Sequence, residues 1–267
     1  MRQLQLRTDK MQAYVEDGVG WITFNQPNKR NAVSLAMWEA VPEIIEDFIS
    51  TGDVRVVVLK GAGDKAFVSG ADISEFEEVR NTPKQIELYE AATGACHAAL
   101  QSLEIPLIAM IRGFCIGGGM AIALSADLRI TADDGQFGVP AAKLGLGYGY
   151  GGIKELMNIV GPSFAKEIFF TGGRFSASDA ETMGLVNRVV PVGELEATVS
   201  TFAKTIADNA PMTVKAAKAA INEGTKNPDE RDLDRVAEMV EACFNSEDYK
   251  EGRRAFMEKR KPQFQGR

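Results

Sequence analysis

Three consecutive glycines near the middle of the chain constrain its fold more than any other sequence feature. Gly117, Gly118 and Gly119 follow the apolar run Leu107–Ile111 and precede a segment whose apolar residues recur at helical spacing. The triplet therefore predicts a sharp turn from a strand into a helix. Because glycine has no Cβ, such a turn lets a helix pack closely or lets a ligand approach the free N–H groups at the helix start. Both interpretations fit the triplet by itself.

A second turn of the same kind is predicted at residues 69–72, after the β-branched run at residues 54–59. Asp72 and Glu75 are spaced as a capping pair that would begin a short helix. Each of the two turns would then offer a free backbone N–H at the end of a strand. Such N–H groups can stabilise a negatively charged oxygen when both are aimed at it.

Strand-like and helix-like segments alternate along the first two thirds of the chain. Residues 15–25 predict a hairpin that turns at Asp17-Gly18. One predicted helix covers 34–49, with Ser34 as its cap and a kink at Pro42. A second covers 82–103 and begins with a Thr82–Gln85 capping box. The predicted strands are 54–59, 107–111 and 128–131. This alternation predicts an α/β fold with right-handed crossovers and a ligand site at the carboxyl ends of the strands.

The rest of the chain contains a segment rich in glycine and tyrosine and, after it, a segment predicted to be helical. Residues 138–152 are rich in glycine and tyrosine and predict a loop that lines a pocket. Short helices are expected from Ser163 and Ser176, followed by a strand at residues 186–191. From residue 194 onward the predicted elements are all helical, and they cover 195–209, 211–223, 227–244 and 246–259.

Charge and composition exclude several classes of function. The net charge of −7 argues against nucleic acid as a partner, and no apolar run is long enough for a membrane span. The N-terminus has no signal-peptide pattern, and three cysteines without metal-ligand spacing indicate reduced thiols and a cytoplasmic protein with no metal site. Cys115 could serve as a nucleophile only if it met His97, the single histidine, which we expect to be a packing or surface residue.

Together, the two turns resemble those of the crotonase superfamily, the enoyl-CoA hydratase/isomerase family. The resemblance extends from the loop at residues 25–32 to the C-terminal residues 255–262. It implies a spiral of ββα repeats in residues 1–193, followed by a helical oligomerisation region in residues 194–267. It also implies a homotrimer or a hexamer made of two trimers, and a lyase or isomerase acting on acyl-CoA thioesters.

The resemblance assigns roles to particular residues. It places an oxyanion hole at the N–H groups of Ala71 and Gly118, where a thioester carbonyl would bind, and it requires no cofactor beyond the coenzyme A of the substrate. The residues that it implies in binding coenzyme A are Lys29, Arg30, Ala32, Ser69, Ala71, Asp72, Ile73, Leu144, Phe256 and Lys259.

The chain departs from the family pattern at two positions. The hydratases use two glutamates for proton transfer, and alanines stand in their places here, Ala121 and Ala141. Because alanine cannot move a proton, the usual hydratase mechanism cannot operate unchanged. Tyr148 falls where methylmalonyl-CoA decarboxylases have a functional tyrosine, although those enzymes have a histidine in place of Ala71.

Three hypotheses follow. The first is an acyl-CoA enzyme that works through an enolate and whose proton-transfer groups are unidentified. The second is a decarboxylase of a malonyl-type thioester in which Tyr148 orients the carboxylate. The third is a protein that binds CoA thioesters without catalysis.

Overall fold

A computed structural model describes residues 1–267 and contains two sheets and eleven α-helices. The strands are β1 (Arg2–Gln3), β2 (Met11–Glu16), β3 (Val19–Phe24), β4 (Val56–Gly61), β5 (Ala66–Val68), β6 (Leu107–Ile111), β7 (Phe114–Ile116), β8 (Leu128–Ala132), β9 (Gln136–Gly138), β10 (Phe175–Ser176) and β11 (Arg188–Val190). The helices are α1 (Leu35–Thr51), α2 (Phe76–Val79), α3 (Pro83–Gln101), α4 (Gly118–Leu124), α5 (Ala141–Leu144), α6 (Tyr150–Thr171), α7 (Ala177–Thr182), α8 (Leu195–Asp208), α9 (Pro211–Thr225), α10 (Leu233–Asn245) and α11 (Glu247–Glu258). None of the helices combines the length and the apolar character that crossing a membrane requires.

The larger sheet has seven strands in the order β1-β2-β3-β4-β6-β8-β11. The predicted hairpin is confirmed as β2 and β3, and Asp17 and Gly18 both have positive φ, as a two-residue hairpin turn requires. From β3 to β11 all neighbouring strands are parallel, which confirms the predicted crossover architecture.

Side chains of this sheet alternate between two hydrophobic cores. Val57 and Leu59 of β4 belong to the main core, which also contains α1 and α3, whereas Val56 and Val58 face a second core formed with α8. All four are fully buried. A strand buried on both faces reads as a continuous apolar run, which is why the sequence revealed β4, although its start lies two residues later than predicted.

The smaller sheet, in the order β10-β9-β7-β5, is not predicted by the sequence analysis. Its strands have only two or three residues, too few to show an alternating pattern. The prediction that the two glycine-containing turns follow the strands near residues 59 and 111 is therefore wrong. They follow β5 and β7 instead, one strand later in each case.

Several helix starts confirm the capping predictions, but the cap expected from Ser34 does not form. Thr82 and Gln85 form both hydrogen bonds of a capping box, and Ser176 does the same with Asp179. In contrast, the Ser34 side chain caps nothing and its Oγ is buried without a partner. The helix also continues through Pro42 without interruption.

The predicted pocket-lining loop at residues 138–152 is partly helical. It contains α5, and α6 begins at Tyr150. The helix expected from Ser163 is the second half of α6, which is divided at Gly161, where φ is 74°. A run of glycines has low helix propensity, so the local sequence did not indicate the first half of this helix.

The four C-terminal helices are confirmed, although α10 begins at Leu233 rather than at residue 227, because residues 228–230 form a separate 3-10 turn. Of these helices, α8 packs on the large sheet and supplies Leu195, Val199, Ala203 and Ala207 to the second core. The division into units at residues 193 and 194 remains a prediction.

Candidate active site

The two turns singled out by the sequence lie side by side because the strands that lead into them are neighbours. Strands β5 and β7 are parallel and paired, with Val68 opposite Cys115. The carboxyl ends of parallel strands lie at the same edge of a sheet, so the turn after Val68 and the turn after Ile116 emerge together.

The Ala71 N–H is left free by the way the chain pairs around it. Val33 donates its N–H to the Gly70 carbonyl at 2.8 Å, and Asp72 donates its N–H to the Val33 carbonyl at 2.9 Å. In this parallel arrangement the N–H of the intervening residue points away from Val33. No backbone hydrogen bond of the turns and loops uses the Ala71 N–H.

Gly118 supplies the second free donor. It is the first residue of α4, and the first N–H groups of a helix have no partner within it. The preceding Gly117 has φ 54° and ψ −111° and donates its own N–H to the Gly138 carbonyl at 2.9 Å. That positive φ explains why glycine occupies this position in the turn.

Space for a ligand atom exists between the two donors because Gly118 has no side chain. A Cβ on Gly118 would lie 3.6 Å from the Ala71 nitrogen and 3.4 Å from the Trp38 ring. Gly119 has a different role, since a Cβ there would come within 2.1 Å of the Val68 carbonyl oxygen. The two interpretations of the triplet thus apply to different glycines: Gly119 permits close packing, and Gly118 leaves a backbone N–H open.

The loop at residues 25–32 runs alongside the turn at residues 69–72, as the resemblance implies. Ser69 donates its N–H to the Arg30 carbonyl at 3.1 Å, and its hydroxyl lies 3.4 Å from the Lys29 carbonyl. The structure therefore brings together seven of the ten residues proposed to bind coenzyme A, namely Lys29, Arg30, Ala32, Ser69, Ala71, Asp72 and Ile73.

Within this group Lys29 and Asp72 form an ion pair, with 2.8 Å between Lys29 Nζ and Asp72 Oδ2. Burial works to raise the pKa of Asp72, but hydrogen bonds from Lys29 and Ser74 outweigh it and hold that pKa below its usual value. Arg30 is exposed and has no carboxylate partner, and its guanidinium lies 5.0 Å from the centre of the Phe114 ring. Of the two loop cations, only Arg30 is free of an ion pair.

The remaining three binding candidates lie on other elements. Leu144 is the exposed last residue of α5. Phe256 lines an apolar cavity of about 910 Å³ among α9, α10 and α11, and Lys259 follows α11 with a positive φ. The structure does not bring Phe256 or Lys259 to the two turns within one chain.

Tyr148 lies in the connection between α5 and α6. Its ring packs against Phe169, with 4.9 Å between ring centres, and it borders the main core. Burial, and then the charge of Glu155, raise the pKa of Tyr148. Glu155 itself is half-buried and accepts a hydrogen bond from Gln101, and burial raises its pKa as well.

The two positions that lack the family's glutamates differ in their surroundings. Ala121 is half-buried on α4, one turn after Gly118, and Ala141 is buried at the start of α5. Next to Ala121 lies a pair that the sequence analysis did not identify, His97 and Ser125, with 3.3 Å between His97 Nδ1 and Ser125 Oγ. These residues are 28 positions apart, so no local pattern could have joined them.

A Cys115–His97 pair is not formed. The Cys115 thiol is fully buried and donates to the Gly119 carbonyl, and burial raises its pKa far above the usual value. A thiol in that state is a poor nucleophile.

The chain is similar in sequence to known proteins. The sequence model of the family described as enoyl-CoA hydratase/isomerase matches residues 14–267. A short-chain-enoyl-CoA hydratase of Clostridium acetobutylicum is 37% identical over 246 residues, which are 92% of this chain and 94% of that protein. A crotonyl-CoA hydratase of Syntrophomonas wolfei is 34% identical over 93% of this chain and 95% of its own length.

Solved structures show the same relationship. The crystal structure of an enoyl-CoA hydratase/carnithine racemase from Magnetospirillum magneticum superimposes with a TM-score of 0.90 at 34% identity. The match covers 99% of this chain and 97% of that one. The α/β fold with its C-terminal helices is therefore shared along the whole length of both chains, and the chain belongs to the enoyl-CoA hydratase/isomerase family.

Proposed function

We propose that this enzyme processes acyl-CoA thioesters by holding the thioester carbonyl oxygen between the N–H groups of Ala71 and Gly118. The observation that carries the proposal is that both donors are unpaired and that Gly118 leaves open the space in front of the Ala71 nitrogen. Donors fixed in this way stabilise the negative charge that develops when an enolate forms.

The coenzyme A portion would bind along the loop at residues 25–32 and the turn at residues 69–73. Arg30 is the loop cation available for a phosphate, because Lys29 is already paired with Asp72. Phe256 and Lys259 would then contact the coenzyme A bound to a neighbouring subunit, since they lie on the C-terminal helices. This assignment presumes a homotrimer, or a hexamer of two trimers, formed through residues 194–267.

The exposed apolar side chains of the C-terminal helices support such an assembly. Phe244, Phe256 and Met257 are 60%, 83% and 80% exposed in the single chain. Large apolar side chains clustered at a surface mark sites of association.

The experiment that tests the function is mass-spectrometric turnover of a panel of thioesters by the purified protein. The panel contains crotonyl-CoA, a longer enoyl-CoA, an aromatic enoyl-CoA and methylmalonyl-CoA. Crotonyl-CoA comes first, because the relatives named above are hydratases of short-chain enoyl-CoA and of crotonyl-CoA. We expect addition of water to an enoyl-CoA, and absence of any turnover alongside measurable thioester binding would contradict the enzymatic proposal.

Decarboxylation of a malonyl-type thioester is a second candidate, and the placement of Tyr148 favours it. Loss of CO₂ itself generates the enolate, so the reaction needs no strong base at Ala121 or Ala141. The Tyr148 hydroxyl has no hydrogen-bond partner within the chain and is not sealed from the surroundings, so it is available to orient a carboxylate. Release of CO₂ from methylmalonyl-CoA would support this candidate over hydration.

A further inference from the structure

One face of α4 passes from the candidate oxyanion hole to the only histidine of the chain. Gly118, Ala121 and Ser125 are spaced three and four residues apart, so they lie on the same face of the helix. The Trp38 ring lies at the Gly118 end of this face, and the His97 ring contacts Ser125 at the other end.

The two rings are also in contact with each other. Their centres are 5.8 Å apart, with 45° between their planes. Trp38 is held in place because its Nε1 donates to the Tyr89 hydroxyl at 3.0 Å. Trp38 and His97 therefore span the helix face from Gly118 to Ser125, and Ala121, with its single methyl group, lies between the two ends.

The hydrogen bonds around Ser125 favour one tautomer of His97. The Ser125 hydroxyl donates to the Ala121 carbonyl at 3.2 Å. A hydroxyl has one hydrogen, so towards His97 the same oxygen can only accept. Nδ1 is then the protonated nitrogen of the neutral ring, and Nε2 carries the free electron pair of a base.

Nε2 is also not sealed off from the surroundings. It has no hydrogen-bond partner in the chain, and the only fully enclosed side-chain polar atom without a partner is Ser34 Oγ. Burial lowers the pKa of His97, which keeps the ring neutral at pH 7. No charged side chain forms an ion pair or a hydrogen bond with His97, and burial is the only influence on its pKa. Two titratable groups are hydrogen-bonded to residues close to it: Tyr89 to Trp38, and Glu155 to Gln101, one turn further along α3.

We propose that His97 is the proton-transfer residue of this enzyme, acting beside the position that Ala121 leaves without a carboxylate. The inference rests on the proposed function. In hydration, the oxygen of a water molecule bonds to C3 of the enoyl group while Nε2 takes one of its protons. The electron pair of the C2–C3 double bond moves into the enolate held by Ala71 and Gly118. The imidazolium then returns the proton to C2, and His97 is neutral again.

His97→Gln tests this assignment, with Thr93→Ala, one turn earlier on the same helix, as the matched control. We expect kcat for crotonyl-CoA to fall about 10²–10⁴-fold in His97→Gln, the contribution typical of a general acid–base group. KM and the affinity for butyryl-CoA, an unreactive analogue, should stay within about threefold, because no binding contact is removed. Thr93→Ala should retain its activity.

A pH profile separates proton transfer from a structural role. In the wild type kcat/KM should fall as the pH drops through the pKa of His97, which lies below its usual value of about 6.5. This fall at low pH, the acidic limb of the profile, should disappear in His97→Gln. Ser125→Ala keeps the imidazole but removes its acceptor, so it should retain the limb with a smaller loss of rate.

Failure of this inference and failure of the proposed function give different results. If His97→Gln keeps kcat within threefold of wild type while Gly118→Ala loses it, the oxyanion hole stands and the role of His97 is overturned. If the wild type binds butyryl-CoA but turns over nothing in the panel, the proposed function is overturned and the role of His97 with it.

Discussion

Gly118 faces the backbone nitrogen of Ala71 across the ends of two paired strands, and a Cβ on Gly118 would lie 3.6 Å from that nitrogen. The two residues are 47 positions apart in the chain and meet only because β5 and β7 are parallel neighbours. Their N–H groups are both unpaired, so the pairing of β5 with β7 places two free backbone donors side by side, which no single segment provides.

Gly119→Ala should destabilise the fold. Its Cβ would lie 2.1 Å from the Val68 carbonyl oxygen, a backbone atom that cannot move without displacing β5. Overpacking of this kind costs about 1–3 kcal/mol or more. Urea denaturation checks this, with Gly224→Ala as the control, because a Cβ at Gly224 meets no atom within 4 Å. A Gly119→Ala midpoint equal to that of wild type would contradict the described packing of α4 on β5.

Asp72→Asn should lower stability at pH 7 and have little effect in acid. The Asp72 carboxylate is buried and accepts hydrogen bonds from Lys29 and Ser74, and its folded-state pKa lies below the usual value. Its stabilisation is therefore complete above the unfolded-state pKa of about 3.9 and disappears as the pH falls through the lower folded-state pKa. We expect a loss of about 1–3 kcal/mol at pH 7, as for hydrogen bonds to a charged group.

Denaturation of wild type and Asp72→Asn at pH 7 and near pH 3 measures this difference. Asp47→Asn is a suitable comparison, because Asp47 forms its ion pair with Arg2 at a half-exposed surface position. An equal destabilisation by Asp72→Asn at both pH values would show that the carboxylate charge contributes nothing.

Tyr148→Phe separates the two candidate reactions. The substitution removes only the hydroxyl and keeps the contact with Phe169, so the fold should be preserved. If Tyr148 orients a carboxylate, release of CO₂ from methylmalonyl-CoA should fall by about tenfold or more, the loss expected when a hydrogen bond to a charged group of about 1.5–3 kcal/mol is removed. Mass spectrometry follows the product, and an unchanged rate would rule out that role.

Cysteine labelling tests the burial around the glycine triplet. Cys96 and Cys115 are buried, and burial raises the pKa of Cys96 to about 12, whereas Cys243 is only half-buried. In the native protein an aromatic disulfide reagent should therefore modify Cys243 fastest, and the other two thiols should react only after unfolding. Rapid native labelling of Cys115, located by peptide mass spectrometry, would contradict the enclosed position of β7.

The features that the sequence predicted are those encoded locally. The Thr82–Gln85 capping box and the hairpin turn at Asp17-Gly18 each lie within a few residues, and both are confirmed. The apolar run of β4 was visible because burial on both faces removes the alternation with polar residues. The two turns were also recognisable locally, because their glycines indicate a turn without reference to distant parts of the chain.

The features that the sequence did not predict depend on distant parts of the chain. The strands β5 and β7 are short and are stabilised by pairing with each other rather than by their own pattern. The environment of His97 is formed by Trp38 from α1 and Ser125 from the end of α4. The sequence alone therefore suggested that His97 is a packing or surface residue. The structure shows its imidazole in contact with Ser125, whose hydroxyl bonds the Ala121 carbonyl.

The most direct test of the central claim is turnover of crotonyl-CoA by Gly118→Ala. The added methyl group has ordinary contact distances to Trp38, so the variant should fold, but it fills the space in front of the Ala71 N–H. We predict that kcat/KM falls about 100- to 1,000-fold, the loss typical of removing one oxyanion-hole donor, while Gly224→Ala stays at the wild-type rate. A folded Gly118→Ala variant with wild-type turnover would show that the reaction does not use the space between Ala71 and Gly118.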